Sequence, residues 1–129
     1  MPSRVWSHLC DYATIDASGK PTIVGDFDRI NARSLPIQFP LFFVISKWAG
    51  YSGEFFNHRV RVVSPSGQEV ASTEEVNVTI QTTGNGDGNH VNIDSFMMLH
   101  LQEFGEYAIE ILLNGNPVHI LPLMVDQIV

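Results

Sequence analysis

Val76-Asn77-Val78-Thr79-Ile80-Gln81 alternates apolar and polar residues without a break. A period of two places the three apolar side chains on one face of an extended chain and the polar ones on the other, as in a half-buried β-strand. The same alternation recurs on both sides of this stretch. Downstream, Tyr107, Ile109, Ile111 and Leu113 alternate with Glu106, Ala108, Glu110 and Leu112. Upstream, Phe56, His58, Val60 and Val62 alternate with Asn57, Arg59 and Arg61. Two further segments, Leu41-Phe42-Phe43-Val44-Ile45 and Phe96-Met97-Met98-Leu99, are apolar on both faces. Strands of that kind are covered on both sides or lie at an interface.

Turn residues separate these runs. Ala17-Ser18-Gly19-Lys20-Pro21 divides the first strand from the second, and Ser64-Pro65-Ser66-Gly67 reads as a hairpin turn. Asn114-Gly115 is the strongest hairpin signal, because a two-residue turn of this type needs positive φ at both positions. Pro36 and Pro40 bound an expected irregular link, and Thr82 to Asn89 an expected polar loop. The pattern gives about nine strands, over residues 4–15, 22–30, 41–48, 55–63, 68–72, 75–81, 90–101, 106–113 and 118–125. No apolar stripe recurs at helical spacing over three turns, and a single turn near Asn31 to Leu35 is the best helical candidate. The expectation is one all-β domain over residues 1–129, an antiparallel β-sandwich with Greek-key or jelly-roll connections and little or no helix.

Apolar residues make up 44% of the 129, enough to fill a core of this size. Net charge is −7, and its distribution is uneven. All seven Lys and Arg lie between Arg4 and Arg61, whereas nine of the fourteen Asp and Glu follow Val62. An acidic surface repels phosphate backbones, which argues against nucleic acid as a partner. The asymmetry is expected either to cancel in cross-strand pairs between the two halves or to set an acidic face against a basic one in an oligomer. No run approaches the length needed to cross a bilayer, so no membrane partner is expected. The absence of a long apolar N-terminal stretch and the single Cys10 point to a cytoplasmic setting.

Cys10-Asp11-Tyr12-Ala13, then Asp16, Gly19-Lys20 and Gly25-Asp26-Phe27-Asp28, form an Asp-Tyr-Ala strand, a Gly-Lys turn and a Gly-x-Phe-Asp strand. With Phe104-Gly105-Glu106-Tyr107, Asn114-Gly115 and Pro122-Leu123-Met124-Val125, this resembles a family of small uncharacterised bacterial proteins of similar length. The resemblance implies a compact β fold of bacterial or phage origin and supplies no catalytic residues.

Several groups are candidates for chemistry. The histidines are His8, His58, His90, His100 and His119. His58, His100 and His119 would make a metal site only if their strands converge, and none has the close paired spacing of a structural zinc site. No metal or other cofactor is expected. Asp26 and Asp28 share a strand face, with Asp11 and Asp16 close in sequence, and the ordinary role of such carboxylates is to accept hydrogen bonds at turns. Asn85, Asp87 and Asn89 have the i, i+2, i+4 spacing of a calcium loop, but His90 and Phe96 stand where an EF-hand needs Gly and Glu. Nucleophile elbows are absent, and Cys10 reads as a small core residue. Trp48 and Tyr51 are the candidates for stacking on a sugar or other small ligand.

The Phe96 segment is more informative. If Val91, Ile93, Met97, Leu99 and Leu101 face the core, Phe96 and Met98 lie on the opposite face, where Leu112 of a neighbouring strand could extend an apolar patch. Such a patch would be covered by a partner, which includes a second copy of the chain, or by a loop such as Asn31 to Pro40. Three readings follow. The first is a non-enzymatic protein-interaction or structural module using Phe96, Met98 and Leu112. The second is a small-ligand or carbohydrate module using Trp48 and Tyr51. The third is a metal-dependent jelly-roll enzyme using His58, His100 and His119.

Overall fold

The computed structural model describes residues 2–81 and 86–128, and these form ten strands and no helix. The strands are β1 (Ser3–Ile15), β2 (Pro21–Asp26), β3 (Arg29–Ala32), β4 (Ile37–Tyr51), β5 (Phe55–Val63), β6 (Glu69–Ser72), β7 (Val76–Thr79), β8 (Asp87–Leu101), β9 (Gly105–Leu113) and β10 (Asn116–Gln127). One sheet has the order β2-β1-β4-β8. The other has the order β3-β10-β9-β5, with β6 and β7 pairing with successive stretches of β5. Side chains from both sheets form one core. Leu9, Phe42, Val44, Trp48 and Phe96 of the first sheet meet Phe56, Val60, Ile109, Ile111 and Leu123 of the second. The molecule is therefore the expected two-sheet, all-β sandwich.

Three details differ from the sequence reading. The expected strand 22–30 is two strands. The chain leaves the first sheet after Asp26 and enters the second at Arg29, where β3 runs parallel to β10. That parallel pair replaces the expected helical turn near Asn31 and makes the sandwich not wholly antiparallel. Pro40 lies within β4, which starts at Ile37, so the expected irregular link is shorter. The expected polar loop also ends early, because Asp87 to Asn89 pair with Ala49 to Tyr51. The rest of that loop, residues 82–85, lies outside the described residues, and with it Asn85 of the calcium-like spacing.

The turns follow their chemistry. Asn114 and Gly115 have φ of 52° and 82°, the left-handed pair that the β9–β10 hairpin requires. The Tyr107 hydroxyl donates to the Glu103 carbonyl at 3.0 Å and pins the turn between β8 and β9. Part of the charge asymmetry is met by cross-strand pairs within the chain. Arg59 pairs with Glu69, Arg61 with Glu110 and Arg29 with Asp126, each joining a base of the first half to an acid of the second.

Candidate functional site

The apolar strands β4 and β8 pair along their whole length, and both reverse their faces at the same point. On β4, Ile37 and Phe39 pack into the core, and after Pro40 the inward positions are Phe42, Val44, Ser46 and Trp48. On β8, Phe96 faces inward, and after Met98 so do Leu99 and Leu101. The register is the same on both sides of the break, with Phe39 opposite Leu99 and Leu41 opposite Met97. Pro40 cannot donate to the ladder, and Met98 adopts φ 53°, which an L-residue accepts at a cost of about 1–2 kcal/mol. Because each strand spends two residues on the break, Pro40, Leu41, Met97 and Met98 all point to solvent. Met97 is 75% exposed and Met98 52%, which leaves an apolar cluster beside the sheet edge.

That edge is β8 itself. It has 15 residues, pairs with β4 on one side, and has no strand on its other side among the described residues. Its alternate backbone N–H and C=O groups therefore face outward, as they do on any edge strand.

Behind the edge lies a polar seam in the sandwich interior. Ser7, Ser46 and Asn92 are register neighbours on β1, β4 and β8 and form a row across the inner face of the first sheet. The next row on one side ends in Asp94, opposite Val44, and that on the other pairs Trp48 with His90. His58 reaches this face from β5. Its ring lies 6.0 Å from that of Trp48, and its Nδ1 is 3.7 Å from Asp94 Oδ2. Ser7 Oγ, Ser46 Oγ, Trp48 Nε1, both ring nitrogens of His58 and Asn92 Oδ1 are buried without a hydrogen-bond partner among the described residues. Each such atom typically costs about 1–3 kcal/mol, so their gathering in one seam calls for a physical account.

Burial governs the electrostatics of the seam. His58 is fully buried, and loss of water, helped by the nearby His90, lowers its pKa from 6.5 to about 4. Desolvation also lowers His90. The same effect raises Asp94 from 3.8 to about 6, although its side chain keeps 15% exposure at the seam's opening. At neutral pH the seam thus holds a carboxylate beside a neutral imidazole.

A family model described as a family of unknown function, DUF6941, matches residues 5–126. The chain belongs to that family. No curated protein matches it.

In this DUF6941 chain the sequence-selected residues are dispersed. Phe96 is 6% exposed and stacks on Phe42 at 5.0 Å, so it does not share a surface with Met98. The alternation in β8 is real, but up to Met97 its faces are opposite to those expected, whereas Leu99 and Leu101 enter the core and Met98 lies outside as expected. Val91 and Ile93 lie on the outer face of the sheet, and Asn92, Asp94 and Phe96 point inward. The outer face is apolar because a second small core sits there. Beyond Cys10, β1 leaves β4 and pairs only with β2, and Ala13 and Ile23 of that hairpin pack with Cys10, Ile45, Val91 and Ile93. The β1–β2 hairpin thus covers the outer face at Val91 and Ile93, while Met98 stays 52% exposed.

Leu112 belongs to the other sheet and is 4% exposed, opposite Arg59 and Pro117. Trp48 is buried within the core while Tyr51 is 71% exposed, so the two do not form one stacking surface. His58 is interior. His100 is exposed six residues beyond Asp94 and lines a shallow pocket with Gln68, Val70 and Tyr107. His119 is lowered by desolvation and by nearby Arg4. Among the described residues no three or more His, Cys, Asp or Glu are placed to hold a metal ion. Asp16 accepts hydrogen bonds from Ser18 and Lys20 amides at 2.9 Å, the turn role expected of it. Asp26 lies 3.0 Å from His8. Cys10 is fully buried, and loss of water raises its thiol.

The seam escaped sequence reasoning because Asn92 and Asp94 alternate with Val91 and Ile93, the pattern of an ordinary wet face. The available signal was Ser46, a polar residue at an inward position between Val44 and Trp48.

Proposed function

We propose that this chain is a protein-binding module that accepts an extended segment of another polypeptide as an added strand along β8. The observation that carries this reading is the unpaired edge of that 15-residue strand. Edge strands are commonly protected by Lys or Pro, and Asp87 to Leu101 contain neither. Main-chain hydrogen bonds would supply affinity, and alternate side chains of the guest would supply specificity. On one face they would meet Met97, with Met98 and Leu41 adjoining it, so Met98 keeps the interaction role expected of it. On the other they would meet the mouth of the seam at Asp94. The half of the chain after Val62 has nine acidic and no basic residues, which favours a guest carrying basic residues over nucleic acid. His58 is closed to substrate, which supports binding over catalysis. The buried, single Cys10 supports a cytoplasmic setting, and the sequence resemblance supports a bacterial one.

A blocked decapeptide alternating valine and threonine, with one central lysine, tests this by NMR. The expected result is slowed exchange of the outward β8 amides and loss of binding when alternate peptide nitrogens are methylated. Perturbation confined to β2 or β3, or none at millimolar peptide, would overturn the reading. Light scattering shows whether a second copy is the occupant.

A further inference from the structure

The seam contains an imbalance that identifies what would fill it. Its donors are the Trp48 indole N–H, one His58 N–H and the hydroxyls of Ser7 and Ser46. Its acceptors are Asn92 Oδ1, the second His58 nitrogen and the two hydroxyl oxygens, which could balance those donors, together with the Asp94 carboxylate, which is surplus. Asp94 has no hydrogen bond among the described residues, and its nearest ionisable neighbour is the His58 imidazole at 3.7 Å. An ionised carboxylate in this position has lost most of its water without gaining a cation. Behind it, Ser46, Trp48 and His58 are at most 1% exposed and carry polar atoms without hydrogen-bond partners among the described residues, and His58 Nδ1 faces Asp94 Oδ2 at 3.7 Å.

We propose that Asp94 and the seam behind it form a cation-accepting site for an ammonium or guanidinium group. The group would be a lysine or arginine side chain on the added strand, or a free small amine. The first source rests on the strand-addition reading, and the second does not. Such a group brings both the missing charge and the missing hydrogens, with Asn92 Oδ1 and the serine oxygens as further acceptors. The geometry suits a side chain as well. A residue directly opposite Asp94 on an antiparallel neighbour has its Cβ within about 4.5–5.5 Å, well inside the reach of lysine. Site specificity would then lie in one position of the guest strand, the residue facing Asp94.

Two arms of one NMR experiment test this. In the first, propylammonium chloride is added to the protein while the Asp94 carboxyl carbon is followed, with sodium chloride at equal ionic strength as reference. Saturable movement of that signal is expected, with the Trp48 indole and Asn92 amide signals moving alongside it in the parent and not in Asp94→Asn. In the second, the lysine decapeptide is compared with its norleucine counterpart. The lysine peptide should bind the parent roughly tenfold or more tightly than the norleucine peptide, and Asp94→Asn should bind the two equally. Equal affinities together with an Asp94 signal indifferent to propylammonium would overturn the cation site while leaving strand addition standing. A saturable propylammonium response with no peptide binding would support the cation site and remove strand addition. Circular dichroism of Asp94→Asn separates these outcomes from loss of fold.

Discussion

Replacing Asp94 with asparagine should stabilise the free protein at alkaline pH and make almost no difference in acid. Asp94 is raised from 3.8 to about 6 by burial. A carboxyl that holds its proton more tightly in the folded state favours folding below its unfolded pKa. That contribution is lost as pH rises through the folded value. The window is therefore from about pH 3.8 to about pH 6, with the stability falling upward through it. The difference between those two values corresponds to ~3 kcal/mol. With 15% of the side chain exposed, some screening remains, and a gain of roughly 2–3 kcal/mol at pH 8 is expected for Asp94→Asn. For a domain of this size that is roughly a 10 °C rise in Tm. Urea unfolding of both proteins at pH 8, 6 and 3.5, in buffers free of organic amines, measures it. A variant less stable than its parent at pH 8, or a difference independent of pH, would refute the desolvation argument.

His58→Leu should show the opposite slope. The imidazole is depressed from 6.5 to about 4, so its contribution is full above pH 6.5 and lost by ~3 kcal/mol as pH falls through about 4; removing it should leave stability rising steadily from pH 6.5 towards pH 4 as Asp94 protonates, which the same urea series detects. Phe96→Ala removes a buried ring stacked on Phe42 and should cost about 3–5 kcal/mol, whereas Met98→Ala at an exposed position should change the urea midpoint little.

The fold was legible because period-two patterning survives wherever one face of a strand is buried and the other wet. Val78 and Ile80, Tyr107 to Leu113 and Phe56 to Val62 all point where the alternation places them, and Asn114-Gly115 forms the turn its backbone chemistry demands. Legibility failed where both faces are apolar. In β8 the alternation of Val91 and Ile93 with Asn92 and Asp94 carries no label for which side is the core. The label comes from the β1–β2 hairpin lying over the outer face, and that is a long-range fact. The break at Pro40 and Met98 compounds the error. Continuous parity from Ile93 to Leu101 is the natural assumption, but two residues on each strand turn outward together, and the register gives no sign of it. Phe96 therefore reads as outward from the sequence although it stacks on Phe42 in the core. The seam is hidden for the same reason, since the alternation places Asn92 and Asp94 on the wet face.

These features have one physical origin in β8. An edge strand with its apolar side chains under a hairpin on one face must present its polar side chains to the sandwich interior on the other. Asn92 and Asp94 are therefore desolvated by the fold, and from the second sheet His58 comes within 3.7 Å of Asp94 while its ring nitrogens lack hydrogen-bond partners among the described residues. An inward-pointing charge on an edge strand is a known protection against indiscriminate pairing, because an apolar strand laid beside it would bury the carboxylate further. The same carboxylate becomes attractive to a strand that brings a cation to that position. Asp94 would thus exclude most extended segments and admit a few, which is how specificity arises when affinity comes from the backbone.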